Sequence, residues 1–502
     1  TLSELNKNLT DARLSQVSRD PVLSQVLATP PGSPSLGDRY LVPPGATGAW
    51  AGQDGNLTEW DGTAWQFFPP QTGWQIWVID ETAAFFWSGS AWVGIEENQL
   101  FDAVVSVAGS GFTSLTSALA AGNKSIFVKS GTYIETSSAI VESGVRIFGE
   151  DTGGGVTLQF TSANGVVLSA GDNFESGGTI SVATNSVTVT GAGTTFTNLD
   201  PGDFILIGIN YYEIATINSN TNLSLSVAFE GQSQSGLSYV AQTMVSDVEI
   251  TNIKIRGASG TGLQIQNTRS STFEKLHVDQ CNQNISLTDC GDLILDKVTS
   301  SNGTLSGLLV NGCYGVRMEL SRINNNGLDG ILFQGTGRSF HLGATFFNSN
   351  DGDGVDVQGT WRDIFITDLS SYANDGKGIN TEPSTGRVSI SGGDIAFNGS
   401  DGIDFDGANN TIVHVSIHDN GQQGVQCGDD GIVTACQIYN NSANGVNIIG
   451  DNNTIISGNQ IFDNSQDGVF ITANSNSDVT ISHNRIRDNS GDGIQVSGTT
   501  NP

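Results

Sequence analysis

Short runs in which apolar and polar residues alternate recur every 21 to 25 residues along the C-terminal part of the chain. Each run follows a glycine, and an asparagine lies four residues before that glycine, which gives the pairs Asn326/Gly330, Asn350/Gly354, Asn374/Gly378, Asn398/Gly402, Asn420/Gly424, Asn441/Gly445, Asn464/Gly468 and Asn489/Gly493. Alternation with a period of two predicts a β-strand, and a repeat of this length predicts a solenoid in which each repeat forms one coil. The pattern therefore predicts an all-β fold, a right-handed single-stranded parallel β-helix.

The asparagine and the glycine of each repeat are expected at the tight corners between strands. Both residue types tolerate the left-handed backbone conformation that a tight corner requires. Stacked in register, the asparagines should also form a ladder in which side-chain amides hydrogen-bond from one coil to the next.

Changes in composition divide the chain into five segments. Leucines at roughly helical spacing precede Pro21, and seven of the eight tryptophans lie between Trp50 and Trp92, where they either form a core or stack on sugars. A short amphipathic stretch after Phe112 predicts a helix that caps the first coil and covers its unpaired edge. The predicted segments are an N-terminal attachment segment (1–27), a Trp-rich small β domain (28–97), the start of the β-helix with its capping helix (98–175), an inserted β-barrel-like module (176–243) and the main parallel β-helix (244–502).

The charge balance argues against two classes of partner. The chain has 20 basic and 51 acidic residues, a net charge of −31 at pH 7. Nucleic acids and anionic membranes bind basic surfaces, and no apolar stretch has transmembrane length, so neither nucleic-acid binding nor membrane insertion is expected. The five cysteines lack CxxC spacing, and we expect buried free thiols rather than disulfides or a metal site.

The register of the coils determines which side chains face outward. After each corner glycine, the first and third residues should point into the coil, and the second and fourth should point outward. The outward residues then form two columns, the first made of Gln264, Ser286, Leu309, Leu332, Asp356, Asn380, Asp404, Gln426, Asn447, Phe470 and Gln495, and the second of Gln266, Thr288, Asn311, Gln334, Gln358, Glu382 and Asp406.

Four carboxylates fall together in these columns and are the candidate catalytic residues: Asp356, Glu382, Asp404 and Asp406. Coils about 4.8 Å apart place Asp356 and Asp404 roughly 9–10 Å apart, and Glu382 and Asp406 roughly 5 Å apart. Hydrolysis of a glycosidic bond uses two carboxyl groups, about 5–5.5 Å apart for retention or about 6.5–9.5 Å apart for inversion. Crowded like charges should also raise the pKa of one carboxyl group, as a general acid requires.

Residues beside these carboxylates are candidates for substrate binding. Trp361, the only tryptophan outside the N-terminal domain, is expected to stack on a sugar ring, with Arg362 next to it. Polar residues of the two columns complete the candidate set, namely Gln334, Gln358 and Asn380. No cofactor is expected, although the four carboxylates could instead hold Ca²⁺. An ordinary solvated acidic face is the other alternative.

Several motifs resemble those of known families. The runs Phe127-Val-Lys-Ser-Gly-Thr-Tyr and Gly144-Val-Arg-Ile-Phe-Gly are similar to the opening coils of pectate-lyase-like β-helices. The motifs Gly37-Asp-Arg-Tyr-Leu-Val-Pro and Gly48-Ala-Trp-Ala-Gly resemble a small domain that recurs in phage tail proteins, and residues 187–205 resemble a β module of tail and fibre proteins. The assembly as a whole resembles a bacteriophage tailspike or tail fibre.

This resemblance implies a homotrimer in the virion tail, outside the cell, whose N-terminal region attaches to tail or baseplate proteins. It also implies recognition of host surface polysaccharide, often with cleavage. Together with the four carboxylates, it favours an endoglycosidase-type polysaccharide depolymerase. A fibre that binds without cleaving and a polysaccharide lyase are the alternatives. The lyase is disfavoured because the sequence shows no clear cationic cleft near the carboxylates, apart from Arg338 and Arg362.

Overall fold

The computed structural model describes residues 18–81, 83–94, 101–107, 111–151, 155–169, 174–208, 210–449, 453–472 and 478–497. The chain divides into two compact units, Thr1–Asp102 and Ala103–Pro502. In the described residues, no helix is both long enough and apolar enough to cross a membrane.

Two small sheets form the first unit. Their strands are Ser18–Val22, Gln75–Val78, Ala83–Trp87 and Trp92–Gly94 in one sheet and Arg39–Leu41, Leu57–Trp60 and Trp65–Phe68 in the other, with a 3-10 helix at Gly48–Trp50. Trp50 is fully buried and contacts the rings of Tyr40 and Trp65, so this tryptophan forms core, whereas Trp77 is 46% exposed. The helix expected in the attachment segment falls on residues 1–17, outside the described residues.

The second unit is a right-handed parallel β-helix, as predicted. One strand of each coil contributes to a 13-stranded parallel sheet, here called the front sheet. Its strands are Ala139–Val141, Val166–Leu168, Thr261–Gln266, Gln283–Thr288, Leu308–Asn311, Ile331–Gln334, Val355–Val357, Ile379–Thr381, Ile403–Phe405, Val425–Cys427, Val446–Ile448, Val469–Thr472 and Ile494–Ser497.

The other sides of the coils belong to one 26-stranded sheet. Its strands are Ala103–Val105, Ser125–Val128, Gly131–Glu135, Arg146–Gly149, Val156–Phe160, Val245–Ser246, Glu249–Thr251, Ile253–Arg256, Thr268–Glu274, His277–Asp279, Gly291–Asp296, Thr299–Ser301, Arg317–Glu319, Arg322–Asn324, Thr336–Gly343, Phe346–Asn348, Thr360–Tyr372, Gly386–Ala396, Thr411–Val413, Ser416–His418, Ile432–Thr434, Gln437–Tyr439, Thr454–Ser457, Gln460–Phe462, Val479–Ser482 and Arg485–Arg487. Inward side chains of both sheets fill one continuous apolar core. All five cysteines are buried and free, as expected.

The predicted asparagine ladder is present and buried. Each side-chain amide donates to the Oδ1 of the next asparagine, at 2.9 Å from Asn326 to Asn350 and at 2.8 Å from Asn350 to Asn374. The same pattern continues through Asn398, Asn420, Asn441, Asn464 and Asn489. The same oxygens also accept backbone N–H groups, so the ladder satisfies polar groups that the corner would otherwise leave buried and unpaired.

The left-handed residues lie one position earlier than predicted. Positive φ angles occur immediately before the ladder asparagines, for example at Asn325 (55°) and Phe397 (57°), and not at the ladder asparagines or the corner glycines themselves. The glycines are needed for close packing between coils, because a Cβ added at Gly354 would lie 2.5 Å from the carbonyl oxygen of Gly378. The predicted left-handed conformation of these asparagines and glycines is therefore wrong, and the glycines are needed because a side chain would not fit between the coils.

The capping helix and the insertion are also present. The helix, Leu115–Ala120, buries Leu115 and Ala118 against the first coils. The insertion is an antiparallel eight-stranded sheet with its own core and a 3-10 helix at Phe196–Asn198. Its strands are Phe174–Glu175, Thr179–Val182, Thr188–Ala192, Phe204–Ile207, Asn210–Ser219, Asn222–Leu225, Gln234–Leu237 and Val240–Gln242.

Candidate functional site

The first outward column aligns on the front sheet as the sequence predicted. Asp356 pairs with Asn380 on the next coil, Asn380 pairs with Asp404, and Asp404 pairs with Gln426. Since the backbone register places these residues directly opposite one another, their side chains stack along the solenoid axis. The four predicted carboxylates, together with Lys377, are called the carboxylate patch below.

Asp356 is buried within the patch, with 5% of its surface exposed. The side-chain amide of Gln358 donates to its Oδ2 at 2.6 Å, and that of Asn380 donates to its Oδ1 at 2.8 Å. Burial raises the pKa of Asp356, and these two hydrogen bonds oppose the rise. Gln358 and Asn380, predicted to bind substrate, therefore position this carboxyl group.

Asp404 is 3% exposed and forms an ion pair with Lys377, a residue that the sequence analysis missed. Lys377 also donates to the side-chain oxygen of Asn380 at 2.9 Å, and Gln426 donates to Asp404 at 2.6 Å. Burial disfavours the charge on Lys377, but the Asp404 carboxylate outweighs it and raises the lysine pKa. The Asp404 carboxylate is therefore paired with the Lys377 ammonium and held in place by Lys377 and Gln426.

Lys377 corrects one argument against a lyase, since a cation does lie among the carboxylates. It occupies the position before a corner glycine, where other coils have Asp353 or Asp401. This position is Asp in five of the eight repeats from Asn326 onward, so the lysine that replaces it is the sequence signal that could have identified Lys377. Arg338, by contrast, is bound to Asp363 at 3.0 Å, on the 26-stranded sheet, where Arg387 pairs with the same carboxylate.

Glu382 and Asp406 are the two exposed carboxylates of the patch. They lie on adjacent coils, each just after its front strand, where Glu382 N–H donates to the carbonyl of Val357 and Asp406 N–H to that of Thr381. Partial burial and the nearby Asp404 carboxylate raise the pKa of Asp406. The Gln426 side chain makes a long contact of 3.4 Å with Asp406. These two side chains are the ones that a polymer lying on the front sheet can reach.

The predicted role of Trp361 is wrong. Its side chain is fully buried and packs against the rings of Phe333 and Phe340, and its Nε1 donates to the carbonyl of Gln334 at 2.9 Å. Gly359, with φ of 84°, turns the chain before this residue. Trp361 therefore belongs to the next strand, Thr360–Tyr372, and the inward-outward alternation of the front strand does not extend to it.

The remaining predicted binding residues are only partly placed at the patch. Gln334 ends a front strand two coils before Glu382 in the second column and is half-buried. Arg362 is exposed, but it follows the turn at Gly359 and pairs with Arg338 and Gly386 on the 26-stranded sheet.

A second group of carboxylates adjoins the patch. Oxygen atoms of Asp329, Asp353 and Asp356 lie within 4.8 Å of one another, which is close enough to share a cation. Burial raises the pKa of all three carboxyl groups, that of Asp353 to about 6. Asp353 also accepts the backbone N–H of Lys377 at 2.6 Å, which ties its carboxylate to the next coil.

Sequence comparison identifies two regions of this chain. Residues 306–434 and 425–502 match the family described as "Right handed beta helix region", and residues 7–93 match "Protein of unknown function (DUF2793)". Among curated proteins, none is significantly similar to this chain in sequence.

Solved structures with a similar fold include phage and bacterial proteins. The tailspike gp49 of Pseudomonas phage LKA1 has 14% identity and a TM-score of 0.47, over 77% of this chain and 72% of that one. The A-module of the Azotobacter vinelandii mannuronan C-5 epimerase AlgE6 has 14% identity and a TM-score of 0.41, over 78% and 94%. The Gp54 tailspike of Acinetobacter baumannii phage AP22, solved with capsular saccharide, has 11% identity and a TM-score of 0.38, over 76% and 73%. The family match to residues 306–434 and 425–502 agrees with the parallel β-helix described above.

Proposed function

We propose that this protein is a phage tail component that recognises a host surface polysaccharide and cleaves it by hydrolysis at the carboxylate patch. The observation that carries the proposal is the pair of exposed carboxylates, Glu382 and Asp406, at equivalent positions of adjacent coils. The coil spacing puts their backbones about 5 Å apart, and side chains that project in parallel from them would keep the carboxyl groups near the separation of about 5–5.5 Å in a retaining glycosidase.

The two carboxylates would divide the work according to their environments. Asp406, whose pKa is raised by burial and by Asp404, holds a proton for the glycosidic oxygen of the departing chain. Glu382 attacks the anomeric carbon, the bond to that oxygen breaks, and a glycosyl ester forms. Asp406, now ionised, removes a proton from a water molecule that hydrolyses the ester and restores both groups.

The buried members of the patch would support this pair without touching the sugar. Asp404 keeps a negative charge close to Asp406, and Lys377 neutralises that charge in part and holds it in place. Asp356 and Asn380 form the next layer of hydrogen bonds and fix the lysine ammonium from the other side. Loss of any of these supports should therefore shift the pH dependence of cleavage as well as its rate.

The setting of the enzyme follows from the motifs that resemble tail proteins. In this proposal the protein acts outside the cell as a homotrimer in the virion tail, and its N-terminal region attaches to tail or baseplate proteins. The strong negative charge of −31 is compatible with a polysaccharide ligand and unfavourable for nucleic acid.

A lyase is the second candidate, and the position of Lys377 favours it. A lyase needs a base and a cation that neutralises the sugar carboxylate, and the patch offers Lys377 next to a carboxylate group able to hold Ca²⁺. In this case Asp329, Asp353 and Asp356 would bind the cation, and chelators would abolish activity. Hydrolysis at Glu382 and Asp406 has no such requirement.

The products distinguish the two reactions. Purified protein is incubated with polysaccharides isolated from a panel of bacterial surfaces, with Ca²⁺ or with a chelator, and the new chain ends are examined by NMR. Hydrolysis predicts new reducing ends with retained anomeric configuration and no unsaturated sugar in either condition. Unsaturated ends that require Ca²⁺ would replace the hydrolase with the lyase. Binding without new ends would leave a recognition fibre.

A further inference from the structure

A second row of strands offers outward side chains on a different sheet from the carboxylate patch. These strands begin with His277–Asp279, and from Arg322–Asn324 onward they end two residues before the ladder asparagines; they are called the rear row. Two outward columns run along it. The first comprises His277, Thr299, Arg322, Phe346, Ser370 and Asp394, and the second comprises Asp279, Ser301, Asn324, Asn348 and Tyr372 and ends at the buried Ala396.

A groove of about 680 Å³ lies along this row. It runs from His277 to Asp394, across six consecutive coils. Five spacings of about 4.8 Å give a length of roughly 24 Å, which suits an extended chain better than a single small molecule. Hydroxyl and amide side chains such as Ser301 and Asn324 line it between these ends, and such groups exchange hydrogen bonds with sugar hydroxyls.

Exposed aromatic rings lie in and beside the groove. Phe346 is 50% exposed, Tyr372 is 45% exposed, and Phe397, which contacts Tyr372 at 5.0 Å, is 48% exposed. Phe397 also has a φ of 57°, a conformation that disfavours a bulky side chain. Since every coil has a left-handed residue at this corner position, the backbone does not require an aromatic residue there, and the exposed Phe397 ring adds apolar surface beside the groove.

The rings further along the row are arranged differently. His418, Tyr439 and Phe462 stack face to face, with centroids 4.7 and 4.9 Å apart, and Arg487 covers the outer face of Phe462. Each ring covers the face of its neighbour, so these three side chains stabilise the coils and leave little ring surface for a ligand. Tyr372 and Phe397 are tilted by 52° and leave ring faces available.

The charges at the groove favour an acidic ligand. Arg322 is exposed at the middle of the groove with its guanidinium over the Phe346 ring, 5.7 Å from the ring centroid, and within the described residues no carboxylate lies at ion-pair distance from it. This stands out in a chain with 51 acidic and only 20 basic residues. At the end of the groove the Asp394 carboxylate contacts His418 at 3.0 Å.

We propose that this groove binds a segment of an acidic polysaccharide, with a sugar carboxylate on Arg322 and sugar rings on Phe346 and Tyr372. The site binds and does not cleave, because Asp394 is the single carboxylate among its lining residues in the described part of the chain. It would hold the polymer to the particle while the front sheet acts on another stretch. The inference rests on the proposed function only in taking a polysaccharide as the ligand.

Affinity electrophoresis tests this inference without reference to cleavage. The full chain is run through native gels that contain polygalacturonate, an acidic polysaccharide, or dextran, a neutral one. We expect polygalacturonate to retard the protein and dextran not to. Arg322→Gln and Tyr372→Ala should each weaken the retardation at least fivefold. Lys275→Gln and Phe365→Ala remove an exposed cation and an exposed ring outside the groove, and both should match the wild type.

The outcomes separate this site from the carboxylate patch. Absence of retardation by polygalacturonate, equal retardation by dextran, or retardation that survives both groove substitutions would overturn the inference. Retardation lost in Asp406→Asn but kept in Arg322→Gln would place the binding at the patch and also overturn it, while leaving the proposed hydrolysis intact. Circular dichroism of each variant confirms that the solenoid is folded.

Discussion

Replacement of a single ladder asparagine should destabilise the coils around it far more than its size suggests. Asn374 is 1% exposed and makes four hydrogen bonds through its side chain. Its Oδ1 accepts the backbone N–H of Asn350 at 3.1 Å and the side-chain amide of Asn350 at 2.8 Å. Its own amide donates to Asn398 at 2.9 Å and to Ser371 at 3.0 Å.

The magnitude follows from which groups are left without a partner. In Asn374→Ala the backbone N–H of Asn350 becomes a buried, unpaired donor, which costs about 1–3 kcal/mol. The side-chain amide of Asn350 loses its bond to Asn374 but keeps its bond to the carbonyl of Ile323, so this loss adds only about 1 kcal/mol to the destabilisation. The total is about 3 kcal/mol. Asn374→Asp retains an oxygen that accepts the backbone N–H of Asn350, so exchange of that N–H should increase less than in Asn374→Ala.

Hydrogen exchange measured by mass spectrometry gives the local readout, because the Asn350 amide itself loses its acceptor. The opening constant for the peptide containing Asn350 should rise roughly hundredfold in Asn374→Ala, since every 1.4 kcal/mol is a factor of ten. Gln460→Ala removes an exposed polar side chain on another coil and should leave exchange at Asn350 unchanged. An increase below fivefold in Asn374→Ala, or an equal effect in the control, would refute the ladder as a source of stability.

Three other predictions concern the core, the corners and pH. Trp361→Ala should lower the free energy of unfolding in urea by about 3–5 kcal/mol through the cavity it leaves, and an unchanged urea midpoint would restore a surface role for this ring. Gly354→Ala should lower the free energy of unfolding by about 1–3 kcal/mol, because the added Cβ meets the backbone of the next coil. Gly386→Ala should lower it by less than half as much, because its Cβ would meet only the Arg362 side chain at 3.8 Å. Burial raises the pKa of Asp353 to about 6, so the folded state favours the protonated carboxyl group. The stability that comes from this preference is complete below about pH 4 and is lost as pH rises through 6. The melting temperature should fall over that interval, and Asp353→Asn should flatten the fall; identical profiles would contradict the assignment.

The coil register could be predicted from sequence because it depends on a strictly local rule. Alternation with a period of two fixes which residues of a strand face outward, and the repeat length fixes which residues of successive coils are neighbours. The stacking of Asp356, Asn380 and Asp404 required nothing more. The asparagine ladder followed from the same periodicity.

The errors arose where the chain leaves a strand or where a side chain reaches across coils. Trp361 lies two residues beyond a glycine turn, and alternation counted from the front strand cannot predict its orientation. Lys377 lies in a corner, yet its ammonium contacts Asp404 on the next coil, a contact set by the length of its side chain. The rear-row groove was missed for another reason, because the outward columns were traced on only one strand of each coil.

Cleavage of a host surface polysaccharide, followed by size-exclusion chromatography, is the most direct test of the carboxylate patch. The wild type is compared with Glu382→Gln, Asp406→Asn and the control Asp375→Asn, which removes an exposed carboxylate at a nearby corner. We expect the wild type and the control to shorten the polymer, and each patch variant to be slower by at least a hundredfold while still folded. Shortening at the wild-type rate by both patch variants would contradict the assignment of Glu382 and Asp406.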